Sequence, residues 1–474
     1  MKVCVLQPDY STTDVDYKHY DPPRDLTALL PHARVDHVFL NKLTTYRQLK
    51  DLSKKGYDIF VNLCEGYLEW EVPSIDVIHT LDLLNLPYTG PNATLYDPPK
   101  PLMKYVAYCA GVKTPLAVEV GCNKDIDEAL QKLRFPMFVK PAKAGDSLGV
   151  DEHSKADTPE ELKAKITALL SSYDEILVEE YVDGREFTVL VAALPDGKGK
   201  CSVFKPVEYV FPEGRSFKTY ALKTSELHPD CNVPCDDFSL ERELRSAAER
   251  VFVAFGGVGY ARMDFRMDKD GELYFLEINF TCSAFYENGY EGSADFVLNN
   301  DPVGKRGFLN QIIAEGIARH RARQKKYTMK GSPVSGYGIF ANRPIQKDEV
   351  VFAGEGLSQR IISKRYVDMH WNEKQKMDFK HYAYPIGKDV YILWDDRPEN
   401  WAPQNHSCTP NTAYDGLNVV AIRDIARGEE LTVDYAMFID ESMEPFKCQC
   451  GSENCREIIF GVKENAVARI RLAQ

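Results

Sequence analysis

The sequence predicts an α/β front module made of α+β subdomains, followed by a mainly β rear module that closes on a small thiolate metal site. Three observations predict it. Between Met1 and Tyr96, short apolar runs such as Asp58-Ile-Phe-Val-Asn-Leu63 alternate with helical segments such as Val72 to Leu84, the grammar of βαβ units. Between Arg262 and Asn279, alternating side chains flank an Asp-Gly pair, which reads as a two-stranded ribbon. Beyond Lys330, short β-like runs and glycine turns lead to Cys448, Cys450 and Cys455.

A chain of 474 residues exceeds the ~250–300 at which a single core stops growing, so two or three domains are expected. Its net charge of -13 argues against direct nucleic-acid binding, because neutralising phosphates needs an excess of Lys and Arg. The opening Met1-Lys-Val-Cys-Val-Leu6 is too short an apolar run for a signal peptide and reads as a buried strand. No apolar stretch is long enough for a membrane span. The expected location is the cytoplasm, with the nucleus left open, and not the secretory route. Twelve cysteines in such a chain read as reduced thiols. Cys231 and Cys235, with three residues between them in a polar loop, read as two free thiols rather than a metal site. The basic stretch from Arg319 to Lys330 marks a junction, a solvated helix end and linker rather than a nuclear-import patch.

Phe138-Val-Lys140 reads as a strand ending in a lysine, and the following loop, with Gly145 and Gly149, can lay backbone N–H groups against phosphates. An ordinary exposed turn reads equally well at this point. The ribbon says more. Asp270-Gly271 is the preferred centre of a two-residue type I′ turn, which pairs Lys269 with Glu272 and sets Asp264 opposite Glu277 and Arg262 opposite Asn279. Those four side chains share one face, while Met263, Phe265, Tyr274, Leu276 and Ile278 take the core face. Two carboxylates with Cβ atoms ~4.5–5.5 Å apart repel unless a cation sits between them. Magnesium suits such oxygens and leaves positions open for phosphates.

With Asn62-Leu-Cys-Glu-Gly66, Pro87-Tyr-Thr-Gly-Pro91, Glu179-Glu-Tyr-Val182 and Glu186-Phe-Thr-Val189, these segments make residues 1 to about 320 similar to D-alanine:D-alanine ligases of the ATP-grasp superfamily. The resemblance implies that Lys104, Lys140 and Lys223 contact ATP phosphates and that Glu179, Tyr181, Val182 and Glu186 line the adenosine pocket. It implies magnesium on Asp264, Glu277 and Asn279, and a catalytic Arg262 that steadies the acyl phosphate or the tetrahedral intermediate. The reaction would join a small carboxylate to an amine. The substrate loops depart from the family: Gln7-Pro-Asp-Tyr-Ser-Thr-Thr-Asp14 replaces a glycine-serine loop, and Phe280-Thr-Cys-Ser-Ala-Phe-Tyr-Glu-Asn288 replaces a small-residue loop. D-alanyl-D-alanine synthesis is therefore not expected.

In the rear half, Cys448, Cys450 and Cys455 offer three thiolates and Cys408 a fourth, a set that suits tetrahedral zinc. Gly336-Tyr-Gly338-Ile-Phe-Ala341, Asn405-His-Ser-Cys-Thr-Pro-Asn411, Gly428-Glu-Glu-Leu-Thr-Val-Asp-Tyr435 and the terminal cysteines together resemble the SET domain with its post-SET zinc motif. That resemblance implies S-adenosylmethionine held near Gly336, Tyr337, Gly338, Asn405 and His406, a catalytic Tyr435, and Tyr382 and Tyr384 along the acceptor channel; at least one of these two tyrosines reads more readily as a strand aromatic, and His406 reads also as a structural histidine. The methyl acceptor would be an amine in a protein, a peptide or a small molecule. Asn400-Trp-Ala-Pro-Gln404 stands where the family carries an Arg-Phe pair.

The expected organisation is an N-terminal α/β subdomain over 1–95, an ATP-grasp nucleotide-binding region over 96–320, a basic linker over 321–330, a SET domain over 331–447 and a post-SET zinc motif and tail over 448–474. The expected function is an S-adenosylmethionine-dependent N-methyltransferase fused to an ATP-dependent carboxylate–amine ligase. The alternatives are a front module that serves as a silent nucleotide- or partner-binding scaffold, and a small-molecule pathway in which ligation is the main activity.

Overall fold

The structure is a computed structural model and describes residues 1–13, 21–68, 70–122, 125–143, 147–195, 199–219, 229–324, 326–354, 359–387, 389–394, 404–437 and 445–460. Lys223 and Gly145 lie outside the described residues, as do the side chains of Tyr382 and Tyr384. The chain divides into two compact units, Met1–Arg323 and Gln324–Gln474.

The first unit opens with a parallel sheet in which β1 (Lys2–Asp9) lies between β2 (Arg34–Asn41) and β3 (Ile59–Asn62). Cys4, Leu6 and Phe60 pack with residues of α1 (Thr45–Ser53) and α2 (Ile75–Leu83), whereas Val3, Val5, Ile59 and Val61 join a core on the opposite face. Burial on both faces is why these strands read as continuous apolar runs. After α3 (Lys100–Cys109), an antiparallel sheet runs in the order β4 (Ala117–Val120), β7 (Ile176–Glu180), β5 (Met137–Pro141), β6 (Lys155–Ala156). Residues of α4 (Ile126–Lys132) and α5 (Pro159–Leu170) build its core.

The third sheet is the largest. Its order is β11 (Asn232–Pro234), β10 (Val207–Tyr209), β8 (Gly184–Ala193), β12 (Tyr260–Asp268), β13 (Leu273–Asn279), with β9 (Cys201–Val203) on the far end of β8. Phe187, Val189 and Val191 pack with α3 and α6 (Phe238–Ala254), while Leu190 and Ala192 pack with α7 (Ser293–Asn300) and α8 (Gly304–Arg323).

The β12–β13 hairpin reaches the expected pairing by an unexpected route. Arg262 faces Asn279 and Asp264 faces Glu277, but Phe265 faces Phe275 because the register shifts after Asp264. The turn is a three-residue loop, Lys269 to Gly271, and not the two-residue type I′ turn. Asp268 forces it: its carboxylate accepts the N–H groups of Asp270 at 3.0 Å and Glu272 at 2.9 Å. Gly271 takes the left-handed φ of 84° that such a loop requires. A bulge at Leu276 then restores the register. The core face of β13 consequently belongs to Leu273, Phe275 and Ile278, while Tyr274 and Leu276, expected in the core, are only half-buried.

The second unit is built of short strands. One sheet runs β14 (Tyr327–Gly331), β15 (Tyr337–Ala341), β23 (Glu430–Val433), β20 (Asn405–His406); another runs β16 (Val350–Phe352), β22 (Asn418–Ala421), β21 (Thr412–Asp415). Between them lies a core of Ile339, Ile345, Val351, Val419, Ile425 and Leu431. A third sheet runs β17 (Gln359–Ser363), β19 (Val390–Trp394), β18 (Tyr384–Gly387), and β24 (Phe446–Lys447) pairs with β25 (Ile458–Ile459). Described residues of the basic stretch make contacts within each unit. Arg319 of α8 donates to the carbonyls of Tyr88 and Gly90 at 2.8 and 2.9 Å, and Arg323 pairs with Asp82 at 3.1 Å. Lys326 pairs with Glu349 at 2.8 Å, and Lys330 belongs to β14. Among the described residues no helix is long and apolar enough to cross a membrane.

Candidate active sites

A cleft of about 750 Å³ opens in the first unit, lined by Lys140, Glu179, Glu186, Asp264, Arg266 and Glu277 among others. Strand β5 brings Lys140 and α3 brings Lys104 to the same acid: their Nζ atoms lie 2.6 and 2.7 Å from the two oxygens of Glu179 on β7. Burial pushes the Glu179 carboxyl up, yet the two ammonium groups outweigh it and hold it at about 2. Burial also pushes Lys104 down, against the pull of Glu179. Three buried groups thus carry one net positive charge toward the cleft, the sign that a polyphosphate needs.

This arrangement has a stability signature. Because the folded carboxyl lies at about 2 against an ordinary 4.5, its contribution is full above pH 4.5 and is lost as pH falls toward 2. The loss is on the order of 3 kcal/mol. Urea unfolding of the first unit between pH 5 and 2.5 should show this slope, and Glu179→Gln should flatten it; an equal slope in both proteins rules the account out.

The other end of the cleft is aromatic and charged. Phe138 and Tyr181 stack with centroids 6.0 Å apart, Phe217 meets Phe138 edge-on at 5.1 Å, and the Tyr181 hydroxyl donates to the Ser216 carbonyl at 2.7 Å. Glu186 is held by Lys218 at 3.0 Å and Arg266 at 3.1 Å, and Arg266 also donates to the Val182 carbonyl at 2.7 Å. On the ribbon, Asp264 accepts a hydrogen bond from the Thr188 hydroxyl at 2.8 Å. The Arg262 guanidinium bridges the acids, 3.1 Å from Asp264 and 3.9 Å from Glu277, and Lys100 lies 4.0 Å from Glu277. The Asn279 amide oxygen accepts the N–H and hydroxyl of Thr281 at 2.8 and 3.0 Å. Two carboxylates and an amide oxygen, with both acids on the cleft wall, are a donor set whose chemistry fits magnesium.

In the second unit β20 runs parallel to β23 and carries Asn405 to the start of β15. The Asn405 amide donates to the carbonyls of Ser335 and Tyr337 at 3.1 and 3.3 Å and to Glu430 at 2.7 Å. Glu430 also accepts the Ser332 hydroxyl at 2.7 Å. A Cβ on Gly338 would sit 2.1 Å from the Glu430 carboxylate, so only glycine lets the acid approach β15. Tyr435 follows β23: its hydroxyl donates to the Gln404 carbonyl at 2.5 Å and its N–H to His406 Nδ1 at 3.1 Å. Burial pushes this phenol up and the His406 ring down. With Nδ1 accepting, the neutral ring carries its proton on Nε2, which faces the Cys408 sulfur at 3.4 Å.

That sulfur belongs to the thiol group that the spacing predicted. The Sγ atoms of Cys408, Cys448, Cys450 and Cys455 all lie within 4.8 Å of one another, and Cys408 and Cys448 are 3.8 Å apart. Zinc–sulfur bonds of about 2.3 Å put tetrahedral sulfurs about 3.8 Å apart, the separation of Cys408 and Cys448, so the donor set fits zinc. Among the described residues it is the one such group, and Cys231 and Cys235 take no part in it.

Residues 117–286 match the family model described as D-ala D-ala ligase C-terminus, and residues 336–436 match the SET domain model. The chain joins a region with the ATP-grasp-like fold of D-alanine–D-alanine ligases to a region that matches the SET domain. A D-alanine–D-alanine ligase of Legionella pneumophila (strain Corby) is 32% identical over 210 residues, 42% of this chain and 54% of the relative. One of Streptococcus pyogenes serotype M49 is 33% identical over 206 residues, 42% of this chain and 57% of the relative. The chain thus spans about half the length of the curated relatives it matches. The solved D-alanine-D-alanine ligase of Coxiella burnetii shares the fold at a TM-score of 0.50 and 18% identity, over 69% of this chain and 96% of its own. That of Bacillus anthracis does so at 0.50 and 19%, over 68% and 100%.

Within the ATP-grasp module, Lys140, Glu179, Tyr181, Val182, Glu186, Asp264 and Glu277 line one cleft. Asn279 lies in an adjoining cavity with Glu277, Lys104 reaches the cleft through Glu179, and Arg262 does so through Asp264. Within the SET domain, His406 and Tyr435 are in direct contact, the neighbouring Asn405 reaches the carbonyls of Ser335 and Tyr337 around Gly336, a Cβ on Gly338 would meet Glu430 and Asn405, and Tyr337 itself is 71% exposed. Four participants escaped the sequence reading: Lys100, Lys218, Arg266 and Glu430. Arg266 had a signal, since two-residue alternation puts it on the face of Arg262 and Asp264. The others meet their partners through tertiary pairing that no local pattern encodes.

Proposed function

We propose that the SET domain transfers a methyl group from S-adenosylmethionine to an amine nitrogen, and that the ATP-grasp module activates a carboxylate with magnesium-ATP and joins it to an amine. The observation that supports ligation is the cleft itself, with two lysines on buried Glu179 at one wall and the facing acids of the ribbon at the other. In-line phosphoryl transfer asks the protein mainly for positioning and charge neutralisation, and these groups supply both. Lys140 and Lys104 would orient the phosphates, and Arg262 would hold the anionic oxygen that develops when the amine attacks.

For methyl transfer the support is the Asn405–Glu430–Ser332 contact against the Gly336–Gly338 segment, next to Tyr435. Such a lattice fixes backbone carbonyls and amides around a donor without covalent chemistry. Tyr435→Phe is expected to lower methyl transfer on the order of 10²-fold, by loss of a positioned hydroxyl, with donor affinity and zinc content unchanged. Wild-type turnover in that variant ends the assignment.

The experiment that tests the whole reading is direct. The purified full chain is given S-adenosylmethionine with protein, peptide and small-amine acceptors, and magnesium-ATP with a panel of acids and amines. Methyl incorporation and acid-stimulated phosphate release are expected. ATP binding in calorimetry with no phosphate release from any acid would leave the first module as a scaffold.

A further inference from the structure

Arg456 follows the last of the four thiols in the chain, yet its side chain turns back to an earlier part of the second unit. Its backbone N–H and its Nε both donate to the Cys408 sulfur, at 3.3 and 3.5 Å, and its Nη2 pairs with the Asp434 carboxylate. With His406 Nε2 at 3.4 Å, the Cys408 sulfur gathers three N–H groups. The backbone beyond Arg456 is bent to suit this. Glu457 takes a left-handed φ of 62°, uncommon for a residue with a side chain. Two bonds of 2.7 Å hold it there, from the Ile458 N–H to the Arg456 carbonyl and from the Cys448 N–H to the Glu457 carbonyl. Consecutive N–H groups then serve different sulfurs, that of Arg456 on Cys408 and that of Glu457 on Cys455 at 3.4 Å.

At its other end Arg456 meets the acid that precedes Tyr435. The Asp434 oxygen that takes Nη2 also accepts the Ala436 N–H at 3.0 Å, at the head of the short 3₁₀ turn Tyr435–Met437. Tyr435 gives its own N–H to His406 Nδ1, and His406 Nε2 returns to Cys408. The contacts close a ring that runs from Cys408 through Arg456, Asp434, Tyr435 and His406 back to Cys408. Two routes therefore join the sulfur to the phenol, one through the imidazole and one through the guanidinium. The second needs an arginine, because a planar fork presents Nε and Nη2 to two partners at once and a lysine ammonium does not. The Arg456 side chain is 41% exposed, and exposed ion pairs add little to stability. What this one fixes is orientation.

We propose that Arg456 is a positioning residue for methyl transfer, holding the Asp434 carboxylate, and with it the Tyr435 turn, against the Cys408 thiol. The inference rests on the methyl-transfer reading for its consequence but not for the contact itself. It makes the thiol site more than a staple for the end of the unit: the Cys408 sulfur becomes the fixed point from which the phenol is aimed.

Full-length Arg456→Gln and Arg456→Lys, each loaded with zinc, test it. Both should transfer methyl groups roughly tenfold more slowly than the wild type, the usual effect of losing a residue that orients a metal ligand. The KM for S-adenosylmethionine should stay within about twofold, since the phenol is misplaced and not the donor. The lysine keeps the charge but reaches one partner at a time, so charge alone should not restore the rate. Asp434→Asn combined with Arg456→Gln should be no slower than the slower single variant, because either change opens the same link. In cobalt-substituted Arg456→Gln the sulfur-to-cobalt absorption should move to longer wavelength, because a thiolate that has lost an N–H donor gives up charge more readily. Wild-type turnover in either variant, an additive double variant, or a raised KM with turnover unchanged overturns the role. If Arg456→Gln misfolds, the lysine variant carries the same test. A wild-type protein that methylates no acceptor sinks the methyl-transfer reading and leaves the contact to the cobalt spectrum, where an unshifted band overturns it. Wild-type methylation that both variants retain in full does the reverse.

Discussion

Asp264→Asn is expected to lower acid-stimulated phosphate release from ATP on the order of 10²–10³-fold, the loss that follows removal of one preorganised charge. The fold should survive. An asparagine of the same shape still accepts the Thr188 hydroxyl bonded to Asp264 at 2.8 Å, and the buried Arg262 guanidinium keeps Glu277 as a partner at 3.9 Å. One facing carboxylate is removed, so the ribbon loses internal repulsion while it loses a hard anionic donor. The defect should therefore appear as a raised magnesium requirement before it appears as weak nucleotide binding. Lys104, Lys140 and Glu179 stay untouched, and the adenosine end with them. Phosphate release titrated with magnesium, beside calorimetry of nucleotide binding, separates these. Full activity at low magnesium in the variant would remove Asp264 from the metal site.

The reason Asp264 could be singled out from sequence is instructive, because two mistakes cancelled. A two-residue turn and an unbroken ribbon predict the same far-end pairing as a three-residue turn followed by a bulge. The facing of Asp264 and Glu277 was legible because β12 alternates strictly from the acids inward, whereas the near end depended on the side chain of Asp268 capping its own turn. That effect is local but competes with an equally local Asp-Gly preference, and the alternation of β13 gave no warning of its bulge. The same slip hid part of the cleft wall: Leu276, expected in the core, lines the cleft of the first unit.

Other parts of the sites divide by how far the chain must travel. The parallel sheet and α2 followed from apolar runs, and three of the four thiols from spacing within eight residues. Lys100 and Lys218 gave no pattern, since each meets its acid only when separate elements pack, Lys100 with Glu277 and Lys218 with Glu186. Glu430 belongs to the same class, because the glycine that admits it lies 92 residues earlier at Gly338.

Loss of zinc is expected to be the most damaging single event for the second unit. Structural zinc on thiolates contributes on the order of 10 kcal/mol of apparent binding free energy at neutral pH, comparable with the stability of a whole small domain. Here the thiols that would hold the metal are also contacts of the candidate methyl-donor site. Cys408 faces His406 Nε2 at 3.4 Å and accepts the Arg456 backbone N–H at 3.3 Å, while His406 Nδ1 takes the N–H of Tyr435. Phe446, just before Cys448, packs its ring 5.7 Å from His406 and 5.9 Å from Tyr435. Without the metal, four sulfurs held within 4.8 Å have no common partner, and β24 and β25 lose the clamp that keeps Phe446 on those rings. Cys448→Ser, or chelation, should therefore remove one zinc per chain, abolish methyl transfer and lower the unfolding temperature of the second unit. Nucleotide binding by the first unit should persist, which distinguishes local collapse from general unfolding. A zinc-free protein that still methylates at the wild-type rate would show that the thiols only pack, and that His406 and Tyr435 are positioned by the β20–β23 pairing alone.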